Sequence, residues 1–323
     1  MPIASRSRPN ASISGLSLRD LEYAVAVAHE KHFGHAAERC SVSQAALSEQ
    51  IRKLEAFLGV TLFERTKRRV EVTPRGEALI RQAETLLGDA RRFVESARRS
   101  AEPLTGELRL GVIATLGPYY LPSLLREARA RFPRLALRIR EALTDDLLGA
   151  LRRGDLDAAL VALPVPDEGL ATETLFFEPF HLACPIDHPL AAAPTIRVGD
   201  LPPGQLLFME DGHCLRDQTL ALCDMRALDP RARFASSLEM LRHMIAAGEG
   251  ISVLPQMAAH DDSRSSPLVH YRPLVEPDAG RTIALVWRAS ETRVDDLHAI
   301  ADFLRASAPE ALRLAESGPE KIR

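Results

Sequence analysis

The chain has 323 residues, a formal net charge of −3, 46% hydrophobic residues and 26% charged residues, a composition typical of a globular protein with room for two or three domains. No stretch approaches about 20 consecutive apolar residues and the N-terminus lacks a signal-peptide apolar core, so we expect neither a membrane-spanning nor a secreted protein. We therefore expect a cytoplasmic protein, in which a disulfide is more often a signal than a structural bond.

The charge is distributed unevenly along the chain. Residues 1–100 carry 17 Lys+Arg against 12 Asp+Glu, whereas residues 101–323 carry 24 against 32. A basic N-terminal third attached to an acidic remainder indicates a nucleic-acid-binding module joined to a second module with another task.

The N-terminal third predicts three helices after a disordered tail at residues 1–15. Apolar residues keep helical spacing at 18–29, a short helix fits 34–39, and a tight turn at 40–42 leads to Ser43, which can cap a third helix. The third helix would bury Leu47, Ile51, Leu54 and Leu58. Its outer face would carry Gln44, Ala45, Ser48, Glu49 and Arg52. This arrangement predicts a helix-turn-helix that reads the major groove, with an ordinary three-helix bundle as the alternative.

Residues 60–73 predict a β-hairpin with a basic turn. The positive side chains are Arg65, Lys67, Arg68 and Arg69. Beside a recognition helix, such a turn is typical of the wing of a winged helix-turn-helix, and it would contact DNA phosphates. We therefore expect the DNA-binding side chains to be Ser43, Gln44, Ala45, Ser48 and Arg52 together with this wing.

A long helix is predicted from Pro74 to about residue 101. Its apolar positions recur at steps of three and four: Leu79, Ala83, Leu86, Ala90, Phe93 and Ala97. A single seam of this length between two domains indicates a coiled coil. We expect this helix to pair two subunits, so that the DNA site has two related halves.

From residue 106 the chain alternates strands and helices, which predicts an α/β region with parallel sheets. Strands are predicted at residues 107–113, 135–140, 158–163, 206–209 and 283–287. Helices are predicted at residues 121–131, 145–153, 238–247 and 294–306. The strands form two groups, at about 106–180 and 181–275, and the segment after residue 281 is expected to return to the first. Two lobes would leave a cleft between them for a small molecule.

Two of the four cysteines, Cys214 and Cys223, lie nine positions apart in a segment predicted as helix. Nine steps of ~1.5 Å and ~100° place the two sulfurs ~13.5 Å apart along the axis and on opposite faces. A disulfide needs Cα atoms within roughly 7 Å of each other. If this pair oxidises, the helix must unwind, and a chemical signal becomes a change of shape.

The two cysteines differ in their surroundings. Cys214 lies near the predicted helix start, between His213 and Arg216, where free backbone N–H groups and positive charge favour a thiolate. Cys223 follows an apolar run. We predict that Cys214 attacks and Cys223 resolves. Two alternatives stay open: both are ordinary buried cysteines, as we expect of Cys40 and Cys184, or His213 and the two thiols bind zinc, although no CxxC pair completes the ligand set.

In the order of its elements the chain resembles the LysR-type transcriptional regulators over essentially its whole length. The resemblance rests on residues 33–48 (FGHAAERCSVSQAALS), 54–59 (LEAFLG) and 247–255 (AGEGISVLP). It implies a winged helix-turn-helix at residues 16–73, a linker and dimerisation helix at 74–102, and a two-lobed, periplasmic-binding-protein-like α/β regulatory domain at 103–323. Ala45 stands where many members carry proline, which leaves the base preference open.

Within that family the chain is similar to the hydrogen-peroxide sensors. The similar stretches are residues 212–218 (GHCLRDQ) with Cys223, 111–122 (GVIATLGPYYLP) and 281–288 (RTIALVWR). The resemblance implies that Cys214 reacts with peroxide and then pairs with Cys223. It implies that Thr115 and Thr144 hold peroxide and a water beside the sulfur. It further implies a polar surround of His213, Arg216, Asp217 and Arg281. On the residues alone, helix caps are the favoured role of both threonines, and the alternative for Arg216 and Asp217 is a surface pair.

We therefore predict a peroxide-sensing transcriptional regulator that is not an enzyme, has hydrogen peroxide as effector and uses no cofactor or metal. The expected partners are double-stranded promoter DNA, RNA polymerase and further copies of the chain, as a dimer through the linker helix and as the tetramer that the resemblance implies. The expected location is the cytoplasm, at the nucleoid. The alternatives are a regulator that senses an organic metabolite in the interlobe cleft, and a thiol peroxidase carrying a DNA-binding domain.

Overall fold

The structure is a computed structural model, and it describes residues 13–65, 70–96, 103–166, 169–225, 232–259, 267–309 and 312. Its contacts divide the chain into an N-terminal unit, essentially residues 1–97, and a C-terminal unit formed by most of the remainder. Most of the predicted tail and the tip of the predicted wing lie outside the described residues. No helix in the described ranges is both long enough and apolar enough to cross a membrane.

The N-terminal unit consists of a helix-turn-helix, a hairpin and a long helix. Its elements are α1 (Leu18–Glu30), α2 (Phe33–Arg39), α3 (Gln44–Leu58), β1 (Phe63–Arg65), β2 (Val70–Val72) and α4 (Pro74–Ser96). Ser43 caps α3 by accepting a hydrogen bond from the backbone N–H of Ala46 at 3.2 Å, which confirms its predicted role. β1 and β2 pair antiparallel, so the predicted hairpin is confirmed.

The core of this unit is the apolar stripe that the sequence predicted. Leu47 and Ile51 are completely buried, Leu54 is buried, and Leu58 is half-buried. They pack with residues of α1 and α2 in one cluster. Because these positions recur at steps of four, three and four, one face of α3 enters the core and the opposite face, which begins with Gln44, stays exposed.

The long helix α4 uses its apolar residues on two faces, whereas the sequence predicted one seam. Ala83 and Leu87 pack against Leu21 of α1 inside the unit. Leu86 and Phe93 are 49% and 78% exposed. The single-seam prediction is therefore wrong for Ala83, because α1 covers that face of the helix. The seam position Ala97 lies outside the described residues.

The C-terminal unit is built on one seven-stranded sheet and one small parallel pair of strands. Its strands are β3 (Gly106–Ile113), β4 (Leu135–Ala142), β5 (Ala158–Ala162), β6 (Leu170–Pro185), β7 (Leu207–Met209), β8 (Arg233–Ala235), β9 (Ser252–Pro255), β10 (Val269–Pro273) and β11 (Gly280–Arg288). Its α-helices are α5 (Gly117–Arg131), α6 (Thr144–Arg153), α7 (Cys214–Leu222), α8 (Leu238–Ala246), α9 (Gln256–Ala259) and α10 (Val294–Ala306). The large sheet has the order β10-β6-β11-β5-β3-β4, and β9 also pairs with β6.

The sheet is mixed, so the prediction of parallel sheets is only partly right. β3 is parallel to β4 and β5, and β7 is parallel to β8. β11 is antiparallel to both β5 and β6, and β9 and β10 are antiparallel to β6. The parallel strands are those that single helices connect, with α5 between β3 and β4, α6 between β4 and β5, and α7 between β7 and β8, because parallel neighbours require such crossovers. Every antiparallel ladder of the large sheet involves β6 or β11.

Two separate hydrophobic cores define two lobes. Lobe 1 contains β3, β4, β5, β11, α5, α6, α10 and the first half of β6. Lobe 2 contains the second half of β6 with β7, β9, α7 and α8. Residues 283–287 of β11 lie in the core of lobe 1, which confirms the predicted return of the chain after residue 281.

Candidate redox site

Helix α7 carries the two cysteines at its two ends. Cys214 is its first residue and Cys223 is the residue that terminates it. All four cysteines of the chain are free thiols in this structure. The observed helix therefore holds the pair in the separated arrangement that the sequence predicted, ~13.5 Å apart along the axis.

Cys214 belongs to lobe 2 but its side chain packs against the core of lobe 1. The turn before it depends on Gly212, whose φ of 89° lies in the left-handed region. A Cβ atom at Gly212 would lie 2.9 Å from the Leu143 Cδ1 atom, so a larger residue would also displace the Leu143 side chain. The tight turn brings the thiol to the boundary between the two lobes.

A small cavity of about 10 Å³ lies at this boundary. Its polar lining comes from Thr115, Thr144, His213 and Cys214, and its remaining walls are Ile113, Ala114, Ala142, Leu143 and Gly212. This volume matches one molecule of about the size of water. The Thr144 hydroxyl oxygen is buried and has no hydrogen-bond partner among the described protein groups. The cavity therefore offers a polar site for one small guest beside a thiol.

Arg281 lies directly behind Thr115. Its Nη1 donates to the Thr115 hydroxyl oxygen at 2.7 Å, and its Nη2 donates to the Thr115 carbonyl oxygen at 3.0 Å. The guanidinium also forms an ion pair with Glu178, with Nη2 at 2.8 Å and Nε at 2.9 Å from the Oε2 atom. Both side chains of the pair are fully buried. The structure thus brings Arg281 together with Thr115, Thr144, His213 and Cys214.

Glu178 is a site residue that the sequence analysis missed. A signal existed, because a glutamate stands inside the apolar run 175–184 (LFFEPFHLAC), and a charge in such a run is rarely buried without a partner. The partner could not be found from sequence alone, since Arg281 is 103 residues away.

His213 and Arg216 do not provide the positive flank that was predicted for Cys214. Burial lowers the pKa of His213, so its imidazole is neutral near pH 7. Arg216 forms an ion pair with Asp211 and stacks over the Phe234 ring, with 5.3 Å from its Cζ atom to the ring centroid. Asp217 is exposed and does not line the cavity. Of the predicted polar surround, His213 lines the cavity, whereas Arg216 and Asp217 do not, because Arg216 binds Asp211 and Phe234 and Asp217 is exposed.

The other thiols are in less reactive surroundings. Cys223 is half-buried against the core of lobe 2, and burial raises its pKa. Burial raises the pKa of Cys184 to about 11 and also raises the pKa of Cys40. A thiol with a raised pKa is largely protonated near pH 7 and is a poor nucleophile. Within the described ranges, no three His, Cys, Asp or Glu side chains are grouped so that they could hold a metal ion.

The predicted DNA-binding face is exposed at the start of α3. Ser43, Gln44, Ala45 and Arg52 are exposed, Ser48 is half-buried, and Arg52 pairs with Glu49 one turn away. The side chains of Arg65, Lys67, Arg68 and Arg69 lie outside the described residues. A capped helix with an exposed polar N-terminal face and a hairpin beside it can enter a major groove.

Comparison with known proteins agrees with this division of the chain. Residues 18–77 match the family described as "Bacterial regulatory helix-turn-helix protein, lysR family", and residues 101–309 match "LysR substrate binding domain". A winged helix-turn-helix followed by a two-lobed domain with a buried site defines a DNA-binding transcriptional regulator with its own sensor domain.

Individual relatives show to which group within this family the chain is similar. The hydrogen peroxide-inducible genes activator of Dickeya chrysanthemi is 43% identical over 291 residues, which cover 90% of this chain and 95% of that protein. A full-length OxyR variant from Pseudomonas aeruginosa with a cysteine-to-aspartate change is 39% identical with a TM-score of 0.69, covering 94% of this chain and 99% of that one. An H2O2-bound OxyR cysteine-to-serine mutant from Corynebacterium glutamicum is 35% identical with a TM-score of 0.59, covering 94% and 95%. The chain belongs to the LysR family of transcriptional regulators and, within it, to the OxyR group.

Proposed function

We propose that this regulator senses hydrogen peroxide through Cys214 and stores the signal as a Cys214–Cys223 disulfide. The observation that carries the proposal is the small cavity that Cys214 lines together with Thr115 and Thr144. Hydrogen peroxide is slightly larger than water and needs several hydrogen bonds, which this polar cavity offers. The proposed occupant therefore reaches the sulfur in a small site that offers it hydrogen-bond partners.

The chemistry proceeds in two balanced steps. The Cys214 thiolate attacks one peroxide oxygen, the S–O bond forms, the O–O bond breaks, and the departing hydroxide takes up a proton to leave as water. Cys223 then attacks the sulfur of the sulfenic acid, an S–S bond forms, and a second water leaves. Peroxide is reduced and the two thiols are oxidised to one disulfide. We propose that the disulfide persists as the signal and is reduced only slowly, so that the chain acts as a sensor and not as an enzyme, without a cofactor.

The second step forces a change of shape. Nine helical positions cannot bring two Cα atoms within roughly 7 Å, so α7 must unwind before the bond can form. Unwinding removes Cys214 from the lobe 1 core, against which it packs in the reduced form. The altered surface of lobe 2 then changes how subunits associate and how their DNA-binding units contact promoter DNA.

The proposed partners are double-stranded promoter DNA, further copies of the chain and RNA polymerase, at the nucleoid in the cytoplasm. Exposed Leu86 and Phe93, seven residues apart on α4, support pairing of two subunits along this helix. We propose a tetramer formed from two such dimers. Residues Gln44, Ala45, Ser48 and Arg52 would contact the major groove, and the wing residues would contact phosphates.

A direct test of the function is mass spectrometry after a stoichiometric pulse of hydrogen peroxide. Reduced protein is pulsed for seconds, free thiols are alkylated, and the peptides are mapped. We expect a disulfide between Cys214 and Cys223, with Cys40 and Cys184 alkylated as internal controls. Alkylated Cys214 and Cys223 would contradict the proposal and would favour a metabolite-sensing regulator. Sustained turnover of peroxide with a reductant would indicate a thiol peroxidase instead.

The disulfide step is expected to depend on pH through Cys223. Burial raises the pKa of this thiol above its ordinary value, so the thiolate fraction is small at pH 7 and increases about tenfold per pH unit below that pKa. The rate at which sulfenic acid becomes disulfide should therefore rise about tenfold per unit between pH 6.5 and 8.5. Trapping the sulfenic acid with dimedone at successive times measures this rate. A pH-independent rate would contradict the prediction and would show that unwinding of α7 limits the step.

A further inference from the structure

The buried ion pair between Glu178 and Arg281 crosses two neighbouring strands at the peroxide cavity. Glu178 on β6 and Arg281 on β11 stand directly opposite each other in the antiparallel register. Neither side chain is exposed at all. An uncompensated charge at this depth is strongly unfavourable, so each member of the pair fixes the position of the other.

Arg281 determines the direction of the Thr115 hydroxyl group. Since Arg281 Nη1 donates to the Thr115 oxygen at 2.7 Å, that oxygen acts as an acceptor on the side of the guanidinium. The hydroxyl proton is therefore directed away from Arg281, and the residue lines the cavity. A guest in the cavity then meets Thr115 as a donor, polarised by the positive charge behind it.

A hydrogen-bond donor in the cavity can stabilise the charge that develops in the first oxidation step. When the thiolate attacks, negative charge develops on the departing peroxide oxygen, and a preorganised donor stabilises it. Thr115 can supply this donor only while Arg281 occupies its acceptor side. Arg281 holds that position because Glu178 binds its Nε and Nη2 atoms.

Glu178 has a second bond that anchors it independently of the arginine. Its Oε1 atom accepts a hydrogen bond from the backbone N–H of Met257 at 3.0 Å, at the start of α9. The carboxylate is thus held by the backbone on one side and holds the guanidinium on the other. Glu178 touches neither the cavity nor the thiol.

We propose that Glu178 is a positioning residue for peroxide reduction, acting through Arg281 to present Thr115 as a hydrogen-bond donor to the departing oxygen. The inference rests on the proposed function of Cys214 and deepens it. It makes Glu178 specific for peroxide chemistry. The rate at which Cys214 reacts with a thiol reagent that releases no oxygen anion in the cavity should not depend on Glu178.

The test compares two reagents on full-length protein. The rate constants of Cys214 with hydrogen peroxide and with iodoacetamide are measured for wild type, Glu178→Gln and Thr115→Val. We expect both variants to lose at least about tenfold in the peroxide rate, since a lost oxyanion donor costs up to roughly a hundred- to a thousandfold, while the iodoacetamide rate changes less than about twofold. The double variant should be no slower with peroxide than Thr115→Val alone, because Glu178 acts through Thr115.

Glu173→Gln is the matched control. Glu173 is another carboxylate on β6, ion-paired with His298 and Arg305 at the surface, and its loss should leave both rates unchanged. If Glu178→Gln does not fold, Glu178→Asp keeps the charge but retracts it by one methylene, and it should show the same selective loss to a smaller degree.

Several outcomes would overturn the inference. These are an unchanged peroxide rate in Glu178→Gln or its Asp substitute, an equal loss with both reagents, and additive losses in the double variant. Wild-type protein that fails to form the Cys214–Cys223 disulfide would instead refute the proposed function. The two failures are therefore distinguishable.

Discussion

Replacing Cys214 with serine is expected to abolish the response to hydrogen peroxide while leaving DNA binding by the reduced protein unchanged. A serine hydroxyl at this position does not ionise near neutral pH and is not oxidised by peroxide, so neither a sulfenic acid nor a disulfide can form. The rate of peroxide consumption at this site should fall by more than roughly a thousandfold, the scale seen when a nucleophile is removed. The cavity and α7 should persist, since serine is close to cysteine in size.

The measurement combines a promoter-binding assay with and without peroxide and a thiol count by mass spectrometry. Cys184→Ser is the matched control, because that thiol is free and buried in lobe 2 and should leave the response intact. Cys223→Ser should form the sulfenic acid without the disulfide. A normal peroxide response in Cys214→Ser would show that the sensing group lies elsewhere in the chain.

Replacing Arg288 with methionine is expected to destabilise lobe 1 strongly. Arg288 is 2% exposed and forms an ion pair with buried Glu291 at 2.7 Å. It also donates to the carbonyl oxygen of Leu156 at 2.8 Å, which ties β11 to the loop before β5. Removing one member of a buried pair leaves an uncompensated charge, so the free energy of unfolding should decrease by about 3–5 kcal/mol.

The single tryptophan of the chain provides the readout. Trp287 precedes Arg288 in β11 and is 3% exposed in the core of lobe 1, so urea unfolding followed by its fluorescence reports this lobe. The double variant with Glu291→Gln removes the orphaned charge and should regain part of the loss. A midpoint for Arg288→Met equal to that of wild type would contradict the prediction.

The sequence predicted those parts of the fold that depend on local patterns. The Ser43 cap and the stripe Leu47, Ile51 and Leu54 follow from residues within two turns of one another, so periodicity and capping chemistry locate α3. The same holds for α7, which the sequence predicted as a helix that begins near Cys214 and which the structure begins at that residue. The identity of the thiol in the cavity could also be anticipated, since only one cysteine lies beside a glycine turn at a helix start.

What could not be predicted depends on contacts between distant segments. Strand β6 was missed because its alternation is interrupted by Glu178 and Pro179, where it passes from one core to the other. The neutral state of His213 results from burial by neighbouring elements, which the sequence does not display. In the same way, Arg216 was expected beside the sulfur, but its actual partners Asp211 and Phe234 become visible only in three dimensions.

Strand β6 also limits how the sensor domain can move. Its 16 residues extend over roughly 50 Å and pair with β11 as far as Pro179 and with β9 from Phe180 onward, so the ladder continues without a gap from one lobe into the other. Swinging one lobe against the other would break main-chain hydrogen bonds on both sides of this junction. We therefore expect oxidation to refold a short stretch of lobe 2 while the two lobes keep their mutual orientation. A partner would then recognise a changed local surface and not a closure of one lobe onto the other.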